Sequence, residues 1–129
     1  MILFHLDPRS GVPTYLQLVQ QVRQAVQLGI LRPGDQLPTV KDVVGALAIN
    51  PNTVLKAYRE LDHEGLVVAR RGVGTFVADE LPSPPDDLKG LRASLHRWVE
   101  RARAAGLDDE NIAALLAETT RAERPARVA

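Results

Sequence analysis

The sequence predicts a mainly α fold with a small β-hairpin wing: a winged helix-turn-helix followed by a C-terminal two-helix hairpin. Three observations carry this. Two short helical patterns, opening at Thr39 and Asn50, are joined by only Ala48-Ile49-Asn50. Two short runs rich in β-branched residues, 66–69 and 75–78, flank the glycine-containing turn Arg70-Arg71-Gly72-Val73-Gly74. A proline-rich break is then followed by apolar residues spaced alternately three and four apart.

Residues 1–6 are an apolar run, read as a strand or an ordered arm, and Asp7-Pro8-Arg9-Ser10-Gly11 is turn chemistry. Pro13 opens a helical pattern. Tyr15, Leu16, Leu18, Val19, Val22, Val26 and Ile30 form its apolar stripe, with glutamines and Arg23 mostly opposite and Gly29 near its end as a cap. Leu31-Arg32-Pro33-Gly34-Asp35 reads as a loop. Thr39 and Asp42 form a capping-box pattern, and Val40, Val43, Val44, Leu47 and Ala48 are the expected buried face of the second helix. Asn50 is the N-cap of the third helix, with Pro51 at its first position, where the missing N–H costs nothing. Val54, Ala57, Tyr58 and Leu61 turn inward, and Gly65 closes the helix.

The expected division is a winged helix-turn-helix over 1–80, a stiff linker over 81–87 with three prolines, a helical tail over 88–122 and a frayed end over 123–129. In the tail, Leu88, Leu91, Leu95, Trp98, Ala102 and Ala105 make a heptad seam ended by Gly106. Asp108 caps a second helix whose apolar face holds Ile112, Leu115, Leu116 and Thr119. Two short helices cannot bury that much apolar surface within one chain, so a symmetric homodimer is expected. Its interface would be Leu88, Leu91, Leu95, Trp98, Ala102, Ile112, Leu115 and Leu116.

Composition bounds the function. Sixteen Lys and Arg balance sixteen Asp and Glu across 129 residues, so no bulk basic excess marks a polyanion binder and any such surface must be local. The chain has no Cys, which excludes disulfides, zinc–thiolate sites and thiol nucleophiles. No apolar run approaches membrane-spanning length and the N-terminus lacks a signal pattern, so the expectation is a cytoplasmic protein without membrane association. His5, His63 and His96 show no metal-ligand spacing, Ser10, Ser83 and Ser94 show no nucleophile context, and Gly72-Val73-Gly74 lacks the lysine of a phosphate loop. The expectation is no enzyme, no metal and no cofactor.

The third helix points elsewhere. Asn50, Asn52 and Thr53 put short polar groups at its N-terminus, and Lys56 and Arg59 follow on its outward side. This is a set suited to phosphates and base edges in a major groove of double-stranded DNA. Arg70 and Arg71 on the wing suit a phosphate or the minor groove.

From Pro13 to Val77, about half of the chain, the sequence resembles the DNA-binding domain of the GntR family of bacterial transcription regulators. The resemblance lies in Pro13-Thr14-Tyr15-Leu16-Gln17, in Gly29-Ile30-Leu31-Arg32-Pro33-Gly34-Asp35-Gln36-Leu37-Pro38-Thr39, in Asn50-Pro51-Asn52-Thr53-Val54, in Lys56-Ala57-Tyr58, in Leu61, in Glu64-Gly65-Leu66-Val67 and in Arg71-Gly72-Val73-Gly74-Thr75-Phe76-Val77. It implies DNA contacts at Thr39, which holds a Ser position, and at Lys41, which holds the position of a backbone-binding Arg without its bidentate fork. It implies further contacts at Asn52 and Thr53 and at a wing tip formed by Arg71 and Gly72, beside Gly74. Leu55 stands where relatives carry Arg or Gln that read bases, which shifts weight to Lys56; a thymine methyl is the most Leu55 can touch. The brief tail resembles that of the YtrA subfamily, whose members are commonly repressors, often of transporter operons and of their own genes. The effector domain of larger relatives has no counterpart here, so an unknown small-molecule effector is left without an assigned pocket. The function expected is therefore a homodimeric repressor on a palindromic operator. The alternative is a winged-helix protein-interaction or dimerisation module without specific DNA binding, which the neutral net charge favours.

Overall fold

A computed structural model describes residue 2 and residues 4–124 of the chain. Of the frayed end expected over 123–129, residues 125–129 lie outside the described residues, as do residues 1 and 3 of the arm expected over 1–6. Among the described residues seven elements follow in order: α1 Thr14–Gln27, α2 Val40–Leu47, α3 Pro51–His63, β1 Val67–Arg70, β2 Gly74–Val77, α4 Leu88–Ala104 and α5 Asp109–Ala122. They fall into two compact units, Met1–Pro84 and Pro85–Ala129.

The first unit is built on α1 against α3. Leu18, Val19 and Val22 of α1 meet Val54, Ala57 and Leu61 of α3 in a core from which water is excluded. α1 stops at Gln27 and reverses through Gly29, whose φ of 69° is the left-handed region that glycine enters without strain. The stripe expected to run on to Ile30 is therefore cut short. Ile30 is exposed, and Leu31 goes into the core in its place. Gln17, expected on the polar side, is only 9% exposed. Its amide accepts from the Asp7 N–H at 2.8 Å and donates to the carbonyls of Asp7 and Val12 at 3.0 and 2.9 Å. Gln21 does the same for His5, so two glutamines hold the N-terminal arm on α1. The arm is not a strand among the described residues, and Ile2, Phe4 and Leu6 of it pack on the core.

α2 opens with the expected capping box. Thr39 Oγ1 accepts from the Asp42 N–H at 3.1 Å, and the Asp42 carboxylate accepts from the Thr39 N–H at 3.3 Å. Its face holds Val43 buried and Val40, Val44 and Leu47 half-buried. Ala48 corrects the expectation of burial: it is exposed and caps the helix in the left-handed region at φ 54°. The chain must reverse there within two residues of α3, and a side chain in that region costs energy. Ala48→Gly is expected to stabilise the fold by about 0.5–1 kcal/mol, the relief of strain less the added freedom of the unfolded chain. Chemical denaturation of the two proteins measures it.

α3 begins as the sequence predicts, with Asn50 Oδ1 accepting from the Asn52 N–H at 2.8 Å and Pro51 in the first turn. Tyr58 is buried and donates its hydroxyl to the Pro38 carbonyl at 2.6 Å, tying α3 to the segment before α2. Burial, with the Asp42 charge adding to it, pushes the phenol well above its ordinary pKa of 10.0. The folded chain thus holds a proton that the unfolded chain gives up. This contribution is intact below the ordinary value and is lost as pH rises through the raised one. Tyr58→Phe is expected to cost about 1–2 kcal/mol by leaving the Pro38 carbonyl unpaired. It should also flatten the alkaline fall in stability, as urea titrations at neutral and high pH would show.

The wing is antiparallel, pairing Val67 with Val77 and Arg70 with Gly74. Both strands sit one residue closer to the turn than expected, which leaves Arg71, Gly72 and Val73 as the loop. Residues expected as plain connection add a rung on the other edge of β2. Leu37 N–H donates to Thr75 O at 2.8 Å, Val77 N–H donates to Asp35 O at 2.7 Å, and Gln36 bridges Phe76.

In the second unit α4 and α5 turn at Gly106, with φ 97°. Asp108 caps α5 by accepting from the Asn111 N–H at 2.8 Å, and Arg103 pairs with Asp109 at 2.9 Å. Only Ala102 and Ile112 of this unit are buried among the described residues. Leu91 is 58% exposed, Leu95 47% and Leu115 40%. The hairpin does not cover its own seam.

Candidate nucleic-acid interface

The outward side of α3 is open and, apart from Leu55, polar. Val54, Ala57, Tyr58 and Leu61 are all taken into the core, which fixes the rotation of the helix. Asn52, Leu55, Lys56 and Arg59 are thereby exposed, and Thr53 is half-buried. No acidic residue lies in the first turn of α1 or of α3. The positive ends of these two helix dipoles therefore meet no carboxylate of their own first turns, so this side of a neutral molecule is locally suited to anions. Among the acids further along, Glu64 is paired with Arg23 of α1.

Thr14 and Tyr15 of α1 line, with Asn50, Asn52, Thr53 and Lys56, an open hollow of about 400 Å³. The Lys56 ammonium lies 4.0 Å above the centroid of the Tyr15 ring. The ring attracts the cation and fixes where it stands, while its N–H groups stay free to donate. Tyr15 was expected only as part of the α1 stripe. It packs on the core and also serves this hollow. Its place in the motif 13–17 is the one sequence signal that pointed to it.

Of the two helix caps expected at the site, Asn50 lines this hollow and Thr39 does not. The side-chain oxygens of Thr39 and Asn50 are occupied by Asp42 and Asn52 N–H groups. Each still has donors to offer, a hydroxyl proton and an amide NH₂, which suit phosphate oxygens. Lys41 is exposed in the first turn of α2. Thr39 and Lys41, like the wing arginines, do not line the hollow of α1 and α3.

On the wing the Arg70 guanidinium lies 4.8 Å from the centroid of the Phe76 ring, and Arg71 is exposed at the turn. Gly72 adopts φ 75° in open space and Gly74 φ 142°. A Cβ on Gly74 would stand 2.5 Å from the Gln36 amide nitrogen. The two glycines thus shape the tip that presents Arg71. Among the described residues no cluster of three or more His, Asp and Glu side chains is placed to hold a metal, and no helix is long and apolar enough to cross a membrane.

Residues 14–77 match the family described as bacterial regulatory proteins, gntR family. The chain is 34% identical over 112 residues to the HTH-type transcriptional repressor YtrA of Bacillus subtilis, covering 85% of this chain and 86% of that protein. Among solved structures it resembles YtrA from Sulfolobus acidocaldarius, a GntR-family transcription factor, with a TM-score of 0.56 and 30% identity over 75% of this chain and 97% of that one. It also resembles the DNA-binding domain of AraR in complex with operator ORX1, with a TM-score of 0.52 and 28% identity over 57% of this chain and 92% of that one.

Proposed function

Because the chain belongs to the gntR family of bacterial regulatory proteins, we propose that it is a cytoplasmic homodimeric repressor that binds a palindromic DNA operator. Each protomer lays 50–59 in a major groove. Asn52, Thr53 and Arg59 face the bases and nearby backbone, and Asn50, Lys56, Thr39 and Lys41 hold phosphates. Arg70 and Arg71 reach the backbone from a wing shaped by Gly72 and Gly74. Residues 1–80 act as the DNA-binding domain, 81–87 as the linker and 88–122 as the dimeriser. The seam of Leu88, Leu91, Leu95, Trp98, Ala102, Ile112, Leu115 and Leu116 lies between the two copies. A two-fold dimer matches a two-fold operator. The subfamily likeness of the tail favours a transporter operon and the protein's own gene as targets.

The observation that carries this reading is the outward side of α3. It is polar, free of acids in its first turn, and joined to a cation held on Tyr15. Purified protein mixed with sheared DNA of its own genome, followed by sequencing of the retained fragments, tests it. A few fragments sharing an inverted repeat are expected. Uniform recovery across the genome, or none, would overturn the proposal.

A further inference from the structure

Leu55 has no place in the core or in the polar chemistry described above. α3 gives the core Val54, Ala57, Tyr58 and Leu61, and Leu55 remains 43% exposed. On a helix the surface neighbours of a residue lie three and four positions away, and for Leu55 these include the exposed Asn52 and Arg59. A branched apolar side chain therefore sits on the exposed side of α3, bracketed by an amide and a guanidinium. Lys56, the adjacent cation, is drawn toward the Tyr15 ring at the α1 end of the helix. A single leucine among polar neighbours is too small an apolar surface to dock a protein.

We propose that Leu55 reads the C5-methyl group of a pyrimidine in the major groove of each half-site, and so determines specificity at that base pair. This rests on the operator-binding reading above. Leucine has neither donor nor acceptor. The major-groove edges of the base pairs carry donors, acceptors and one apolar feature, the methyl at C5 of thymine. Against that methyl, Leu55 removes apolar surface from water on both sides. Against any polar edge it strips water and returns no hydrogen bond. 5-Methylcytosine presents the same group, so it is the second source of the same chemistry.

The test uses the operator recovered from the genome, synthesised with each thymine replaced in turn, in both half-sites, by deoxyuridine. That change removes only the methyl. Binding is measured for the full-length protein and for Leu55→Ala, whose exposed position keeps the core intact. The expected result is one symmetry-related thymine pair whose demethylation weakens the parent about fourfold per half-site, the burial of one methyl group. Leu55→Ala should bind the thymine and deoxyuridine operators alike. If the operator carries cytosine at that position, 5-methylcytosine should tighten the parent and leave the variant unchanged, which assigns the second source. Specific binding that no deoxyuridine weakens and no 5-methylcytosine tightens would overturn the methyl reading alone, as would an equal methyl dependence in Leu55→Ala. A parent protein that selects no DNA would overturn both this inference and the function on which it rests.

Discussion

A chain carrying Leu91→Glu and Leu95→Glu is expected to run as a monomer and to bind a full operator at least about 100-fold more weakly than the parent. Both leucines are on the seam of α4 and largely exposed within one chain. Their replacement leaves the hairpin's own buried pair, Ala102 and Ile112, untouched. In a dimer the same positions are covered by the second copy, and two charges a side would have to be desolvated there without partners. The loss in affinity comes from geometry. Once one protomer is seated, a tethered second protomer meets its half-site at high effective concentration, and the monomer forfeits that gain. Affinity for an isolated half-site should be unchanged. Sedimentation and operator binding measured on the same samples check the prediction, and Trp98→Ala should shift both in the same direction. Lost affinity with the dimer intact would assign the tail another role.

Lys56→Ala is expected to weaken binding about equally on all DNA sequences, by roughly tenfold or more for the dimer. It should lower the slope of log affinity against log salt by about one for each protomer. A lysine reading a base would act differently: its loss would cost about 1–3 kcal/mol at one base pair and relax the preference there. The hold of the Tyr15 ring on the ammonium favours the phosphate role. Tyr15→Leu keeps the apolar packing and removes the ring's attraction, so it should weaken binding in the same sequence-independent manner by a smaller factor. Titrations on operator and on random DNA at several salt concentrations separate the two outcomes.

Much of this fold is legible in the sequence where one local rule dominates. Thr39 with Asp42, Asn50 and Asp108 mark helix starts through side chains that pair with nearby backbone, Pro51 through its fixed φ, and Gly65 marks an end through its left-handed φ. The spacing of Val54, Ala57, Tyr58 and Leu61 sets the rotation of α3 and, with it, the side that faces out. What escapes sequence reading depends on distant partners. Gln17 looks polar and outward, and only the arm's backbone, ten residues away at Asp7, explains its burial. Ala48 carries no sign of a left-handed backbone, because the reversal between α2 and α3 imposes it. The rung at 35–37 exists because β2 offers it a free edge, which no local pattern in those residues announces. At the candidate interface the polar positions were readable one by one. The pairing of Lys56 with Tyr15 was not, since it joins two helices 41 residues apart in sequence.

Sequence-specific binding of double-stranded DNA underlies every role proposed for α3, the wing and the tail. It is tested most directly by measuring affinity for the recovered inverted repeat and for a scrambled duplex of the same composition, at about 150 mM salt. A preference of about a thousandfold or more for the repeat is expected. Comparable affinities for the two duplexes would contradict it.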